Sequence, residues 1–562
     1  MGLIERRIGL LFAVFVLLFC AAIGRAAWIQ AVQGGSLAED AHLQQTDAMT
    51  IPGARGAILD RNGKQLAVSE DAADVVATPY QVADPAQAAR ELARVLKQPE
   101  EDVLASLGDG TSGFAYIARQ VDLPTATKVR KLDLDGIATL PSTRRVYPEG
   151  QLGAQVIGTV GVDGDGLTGL EASENDLLQG QDGERQVVLD GLGKELERET
   201  IEAPQAGQEV KLTLDAGLQA ETQRVLGDLA DTYKPRGATA IVMDPRNAEV
   251  LAMANWPTVD PGDLGEVDPE ELQNMATGFT YEPGSTFKAF TVGGALQDGV
   301  VTPETVFDLP TELQVADRTI TDAHERSAIS LTVSQILAQS SNVGAAMIGL
   351  RLNEVMGNDR FDHWVRKFGF GEPTGIAFPG EEQGMVLRPS EYSGSTMGNL
   401  PIGQGLLVTP IQMAAGMAAI AHGGVYRTPR LILSEDGQRV ERTSHHRVLA
   451  TTTARKLSTM LEGVLAPGGT ASEVSVPGYT LAGKTGTAQK VVNGEYSHTQ
   501  FVASFVGYAP ADDPRLLVCV VVDEPTQVSY YGGAVAAPAF GEIAKFALPY
   551  LGIGPDQATP AQ

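Results

Sequence analysis

Apolar residues are unevenly spread along this chain, and the longest uninterrupted stretch comes first. Arg6 and Arg7 precede seventeen weakly polar to apolar positions, Ile8 to Gly24. That length lies at the short end of a membrane span and above the usual core of a signal peptide. Basic residues ahead of the span predict a cytoplasmic start and an exported remainder. Arg25 can snorkel and Trp28 suits an interfacial anchor. The expectation is a cytoplasmic tail over 1–7 and a transmembrane anchor over 8–30, single-pass in the plasma (inner) membrane, with everything after it extracytoplasmic. A cleaved signal peptide ending at Ala22-Ile23-Gly24 is the competing reading, and it leaves the bulk of the chain on the same side.

Beyond the anchor the pattern changes twice. Residues 36–206 mix short apolar runs with turn residues. Arg55 to Leu59 reads as a short strand before an Asn62-Gly63 turn. Pro85 to Leu96 reads as a helix with Ala89, Leu92 and Leu96 on one face. Gly161 to Gly169 is too rich in Gly and Asp for regular structure, and Val187 to Leu189 before Asp190-Gly191 reads as a hairpin strand. No catalytic groups concentrate here, so the segment reads as a structural pedestal. After a short Pro/Gly linker, a second domain is expected over 207–552. Lys211 to Asp215 is a strand ending in an N-cap residue, followed by a helix burying Leu218, Val225 and Leu229. Strand pairs are expected at Ala238–Met243 with Glu249–Ala254, and at Phe501–Ala509 with Leu516–Asp523. Antiparallel strands at both ends with helices between them predict an α+β domain, a sheet sandwiched by helices. Residues 553–562 read as a disordered tail.

Composition narrows the function classes. A chain of 562 residues holds two or three domains. A formal net charge of −28 argues against nucleic-acid binding, which needs a basic face. Two distant cysteines, Cys20 and Cys519, build neither a disulfide framework nor a thiolate metal site. The adjacent His445-His446 reads as a solvated loop pair rather than as metal ligands. No cofactor or metal is called for.

The candidate chemistry sits in three short motifs met in order: Ser285-Thr286-Phe287-Lys288, Ser340-Ser341-Asn342 and Lys484-Thr485-Gly486-Thr487. Pro283-Gly284 before Ser285, and apolar residues after it, place the serine at a helix start, with Lys288 one turn on along the same face. A serine hydroxyl needs a base, and a lysine serves once burial or a second cation makes its amine neutral. Lys484 is a candidate for that second cation. Ser340 can relay a proton to a leaving amine and Asn342 can hold a substrate amide. The bland alternative for the tripeptide is a helix-capping run. Ser173-Glu174-Asn175 has the same pattern and reads as a polar turn. Lys484, Thr485 and Thr487 form a carboxylate-binding cluster, with Gly486 admitting a close backbone approach. The Ser285 and Thr487 N–H groups could form an oxyanion hole. Ser-x-x-Lys is common by chance, yet it occurs once here, as does Lys-Thr-Gly.

The ordered trio resembles that of penicillin-binding proteins and serine β-lactamases. The resemblance to class B penicillin-binding proteins extends over nearly the whole chain. It includes Arg55-Gly56 through Asp60-Arg61-Asn62-Gly63, Arg145-Val146-Tyr147-Pro148 and Gly166 to Glu171. Leu212 to Asp215 with Leu218-Gln219, and Gly403-Gln404-Gly405 with Thr409 to Gln412, add to it. It implies an anchor, an elongated pedestal of the dimerisation type and a transpeptidase domain. It implies Ser285 acylated by a stem peptide ending in D-Ala-D-Ala, with Lys288 as base, Ser340 and Asn342 as second motif, and Lys484, Thr485 and Thr487 at the carboxylate. Implied partners are peptidoglycan stem peptides, lipid-linked nascent glycan, β-lactams and a membrane glycosyltransferase of the shape, elongation, division and sporulation (SEDS) type. The stretch from Tyr147 to Gly193 resembles the FtsI-like division branch more than the elongation branch. The competing enzyme reading is a serine β-lactamase or D,D-carboxypeptidase, with water as acceptor. A silent scaffold or β-lactam sensor is the reading from another class.

Overall fold

The computed structural model describes residues 2–33, 35, 46–108, 112–189, 195–265, 267–441 and 444–557. The chain forms two compact units. The smaller comprises Met1–Ala54, Asp71–Arg144 and Gly180–Gly207; the larger comprises Arg55–Glu70, Arg145–Gln179 and Gln208–Gln562. The stretch read as one pedestal in chain order is therefore divided between them.

In the smaller unit, helix α1 (Gly2–Trp28) continues as a wider turn through Gln33. Residues Arg6–Gln33 are long and apolar enough to cross a membrane, and their apolar side chains, Leu10, Phe12 and Phe15 among them, are exposed. Thr46–Ile51, Gly183–Leu189 and Glu195–Glu202 form a three-stranded antiparallel sheet. The Asp190-Gly191 turn expected there lies outside the described residues. Helix α2 (Pro85–Leu96) begins where expected: Asp84 accepts from the Gln87 N–H and Pro85 occupies the first turn. It buries Ala88, Ala89, Leu92 and Ala93 against Val75, Val103 and Ile117.

The larger unit is built on a five-stranded antiparallel sheet. Its strands are β1 (Gly237–Asp244), β2 (Glu249–Trp256), β3 (Ala482–Val492), β4 (Glu495–Ala509) and β5 (Leu516–Asp523), in the order β2-β1-β5-β4-β3. Side chains alternate across it. Ala240, Val242, Val518 and Val520 face one core, with helices α3 (Ala216–Tyr233) and the final helix Gly532–Tyr550. Ile241, Met243, Leu517 and Cys519 face the other, with Phe287, Phe290, Ile411 and Leu457. This is the sheet sandwiched by helices that the strand pattern predicts.

At the centre of the second core lies α4 (Lys288–Gln297). Every residue from Lys288 to Leu296 is buried, the signature of a helix enclosed on all sides. Around it stand α5 (Val333–Ala338), α6 (Asn342–Met356), α7 (Pro410–Ala421) and α8 (Thr451–Glu462).

Three stretches that carry the family resemblance meet in this unit at a buried ion triad. Arg55 Nε donates to Glu171 Oε2 at 2.5 Å and Arg145 Nε to Glu171 Oε1 at 2.7 Å. Arg145 Nη1 also donates to the Gly56 carbonyl at 2.8 Å.

Two expectations are corrected. His445–Arg447 is a strand paired with Val425–Arg427, and the exposed His446 ring stacks on Tyr426. Residues 553–557, read as the start of a disordered tail, are docked. Tyr479 Oη donates to the Ile553 carbonyl at 2.5 Å, and the Thr480 N–H to Asp556 Oδ1 at 2.9 Å. Residues 558–562 lie outside the described residues.

Candidate active site

Ser285 is half-buried in a single 3₁₀ turn, Gly284–Phe287, which runs directly into α4. The turn is pinned from below by Phe287, which is fully buried and packs on Phe290 and Phe370 with ring centroids 5.4 and 5.0 Å apart. It is pinned from the side by a loop. The Gly284 N–H donates to the Gly403 carbonyl at 2.9 Å, and a Cβ on Gly403 (φ +81°) would lie 2.1 Å from the Gly284 oxygen. Only glycine fits there. Glu282 holds the same loop: one oxygen accepts from the Gly405 N–H at 2.9 Å and from Tyr496 Oη at 3.1 Å.

The second motif realises both readings of its sequence. Ser340 follows Gln339, the C-cap of α5, at φ +61°, a conformation glycine usually fills. Its N–H donates to the Leu337 carbonyl at 3.3 Å and that of Ser341 to Ile336 at 3.0 Å, the paired bonds of a Schellman closure. Ser341 is at once the N-cap of α6, accepting from the Gly344 N–H at 3.0 Å. The chain thus leaves one helix and enters the next within three residues. The middle serine does the capping, while Ser340 and Asn342 turn to the lysines.

The third motif differs from expectation in its placement. Tyr479 to Leu481 is not the strand preceding it: Lys484 to Thr487 lie inside β3, which starts at Ala482. Gly486 is required by the protein itself. A Cβ there would meet Ser504 Oγ at 2.3 Å and, at 2.9 Å each, the Pro283 carbonyl and Thr286 Cγ2. The close approach expected for a substrate backbone is made by the serine turn, which seats Ser285 against this strand.

The two lysines converge. Lys288 Nζ donates to the Ser340 carbonyl at 2.6 Å and to Asn342 Oδ1 at 2.7 Å, with Ser340 Oγ at 3.3 Å. Lys484 Nζ lies 3.0 Å from Ser340 Oγ. Lys288 and Lys484 are 1% and 0% exposed, so both amines have lost their hydration. Burial pulls Lys288 down to about 7, against the upward pull of Asp322. Burial also pulls Lys484 well below the usual lysine range, and the neighbouring Lys288 adds to the effect. A neutral amine has two hydrogens and a lone pair. The two short bonds of Lys288 account for both hydrogens and leave the lone pair free to take a proton. The threonines are held from outside. Thr485 Oγ1 pairs with Thr470 Oγ1 at 2.7 Å, and Thr487 Oγ1 accepts from the Gly532 N–H at 2.9 Å, keeping its own hydrogen to donate.

Residues 238–545 match the penicillin-binding protein transpeptidase domain, and residues 50–212 match the penicillin-binding protein dimerisation domain. The chain belongs to the penicillin-binding protein family. It is a class B member, a serine-type D,D-transpeptidase with a β-lactam-binding class of site. It is 34% identical to the peptidoglycan D,D-transpeptidase FtsI of Escherichia coli K12, over 99% of this chain and 94% of that protein. It is also 34% identical to stage V sporulation protein D of Bacillus subtilis, over 97% and 85%. Among solved structures, penicillin-binding protein 3 of Mycobacterium tuberculosis with aztreonam superposes with a TM-score of 0.70 at 31% identity, over 91% of this chain and all of that one.

Sequence reasoning missed the residues that hold this penicillin-binding site from behind. Glu282 sits three positions before Ser285 and could have been suspected as an acid in an apolar setting. Thr321 and Asp322 lie in a polar run with no local mark. Their role comes from contacts with residues about twenty positions away.

Proposed function

We propose that this protein cross-links peptidoglycan by acyl transfer through Ser285. The observation that carries the reading is the convergence of two buried lysines on Ser340 beside the Ser285 turn. Ser285 Oγ attacks the carbonyl between the two terminal D-alanines of a donor stem peptide, and its proton passes to the neutral amine of Lys288. The C–N bond breaks. The departing D-alanine nitrogen takes a proton through the Ser340 hydroxyl, leaving an ester on Ser285. An amine of a neighbouring stem then attacks that ester, and Ser285 recovers its proton. The Ser285 and Thr487 N–H groups stabilise the oxyanion. Lys484, Thr485, Gly486 and Thr487 receive the terminal carboxylate, and Asn342 orients the donor amide.

In this reading residues 8–30 are a single-pass anchor in the plasma membrane, and the remainder, with its penicillin-binding protein dimerisation and transpeptidase matches, works outside it. Lipid-linked nascent glycan reaches the enzyme from a SEDS-type glycosyltransferase partner, and the role is septal. The FtsI likeness supports the septal assignment. The equal identity to a sporulation protein supports a second assignment, wall synthesis during sporulation.

A fluorescent penicillin is expected to label the full chain in detergent, and Ser285→Ala to abolish labelling. Persistent labelling of the mutant would remove Ser285 as nucleophile. Loss of label over many minutes supports a transferase; turnover within seconds supports a hydrolase. Depletion followed by microscopy separates the roles: filaments for septal work, rounded cells for lateral growth, normal vegetative cells with defective spores for sporulation.

A further inference from the structure

The bonds that aim Ser340 and Asn342 start from a residue in none of the three motifs. Asp322 follows the Arg318–Thr321 strand. Ser341 Oγ donates to it, 3.0 Å from each carboxylate oxygen, and the Val343 N–H donates to Oδ1 at 3.1 Å. Arg326 Nε donates to Oδ2 at 2.6 Å. The neighbouring Thr321 carbonyl accepts from Asn342 Nδ2 at 2.9 Å. That bond turns the oxygen of the same amide toward Lys288. Two consecutive residues, Thr321 and Asp322, therefore grip three others, Ser341 to Val343. Ser340 is left in its left-handed conformation between the lysines.

We propose that Asp322 is a positioning residue for acylation, clamping the first turn of α6 so that Ser340 and Asn342 meet Lys288, and biasing that lysine through its own negative charge. The inference rests on Lys288 being the base. Burial pushes the Asp322 carboxyl up, but the Val343 N–H, Arg326 and the Ser341 hydroxyl outweigh it and hold the group below its usual range, ionised at neutral pH. The titratable groups beside Lys288 are Asp322 from this turn, which bears on it, and Lys484 from β3, which is itself driven down by burial and by Lys288. Ser340 and Asn342 are neutral. Asp322 favours the ammonium. Without it, burial acts unopposed against protonation of Lys288.

The test is the rate constant of penicillin acylation across the neutral pH range, on the full chain in detergent, with melting temperatures recorded. Asp322→Asn keeps an acceptor for the Val343 N–H and offers its amide to Ser341 Oγ. It is expected to move the acid-side midpoint to lower pH. Ser341→Ala is expected to lower the plateau with the midpoint in place. Asp322→Ala is expected to do both, with a plateau loss of about tenfold or more from the freed N–H and hydroxyl. If Asp322→Ala does not fold, the other two variants carry the test. A wild-type rate that does not fall on the acid side overturns the reading of Lys288 as base. A wild-type fall with an unmoved Asp322→Asn midpoint leaves that reading intact and overturns the charge role of Asp322. An unchanged plateau in Ser341→Ala overturns the clamp.

Discussion

Two places in the larger unit bury a pair of cations, and they treat them in opposite ways. Arg55 and Arg145 share Glu171, which is 0% exposed and has one oxygen for each guanidinium. Lys288 and Lys484 share a serine hydroxyl, which has no charge to give. The first arrangement matches each buried cation to a fixed acceptor and joins three distant stretches of chain. The second leaves two amines in competition for protons, with a nearby carboxylate, Asp322, committed to Arg326 and to the start of α6. Burial is the same physical event in both. A structural role compensates the charge, while a catalytic role leaves it uncompensated so that an amine loses its proton near neutral pH.

The contrast can be tested from either side. The largest effect is expected from Lys288→Ala: penicillin acylation falls by about a thousandfold, the range of a lost general base, with no loss of melting temperature. A large drop in melting temperature would mean that the amine supports the fold as the arginines do. Glu171→Ala should do the reverse. It strands two buried guanidiniums and destabilises the unit by about 3–5 kcal/mol, read by denaturant unfolding, while acylation per folded molecule is retained. A third effect is on pH dependence. Lys288 sits at about 7 when folded, against its ordinary 10.5. Between those values the unfolded chain holds a proton that the folded chain lacks. Stability should therefore rise with pH over that window, and the slope should shrink in Lys288→Met. The smallest effect is expected from Ser340→Gly. Relief of the left-handed backbone raises stability by about 1 kcal/mol, measured by thermal unfolding, while acylation slows because Lys484 loses its 3.0 Å partner.

Much of this was legible in the sequence where the relation is local. The three-residue spacing of Ser285 and Lys288, the N-cap at Asp215 and the nearly continuous apolar run from Ala238 to Met243 ahead of its turn are short-range features that the chain states directly. The motifs could be named before the fold was known because each is short and each occurs in order. What was hidden depends on separation. Asp322 reaches Ser341 across nineteen positions, and Arg55 reaches Glu171 across 116. No periodicity encodes either contact. The same holds for the division of the chain into units: the Glu171 triad ties residues from the front of the sequence into the body that carries the lysines, so reading in chain order groups them differently. Gly486 shows a subtler limit. Its need for a close neighbour was plain from residue type, but the neighbour's identity was not.

The sheet order has a consequence for biogenesis. Strand β1 pairs with β5, so Met243 meets Leu517 across 274 positions, and Gly532 braces Thr487 from the last helix. A polypeptide emerging amino-end first presents Ser285 and Lys288 long before β3, β5 and that helix arrive. Strand β1 then lacks its β5 neighbour, and the serine turn has no surface to press against. Acyl transfer cannot begin on a half-delivered chain. The order of synthesis acts as a built-in safety catch, released only when nearly the whole molecule has been made.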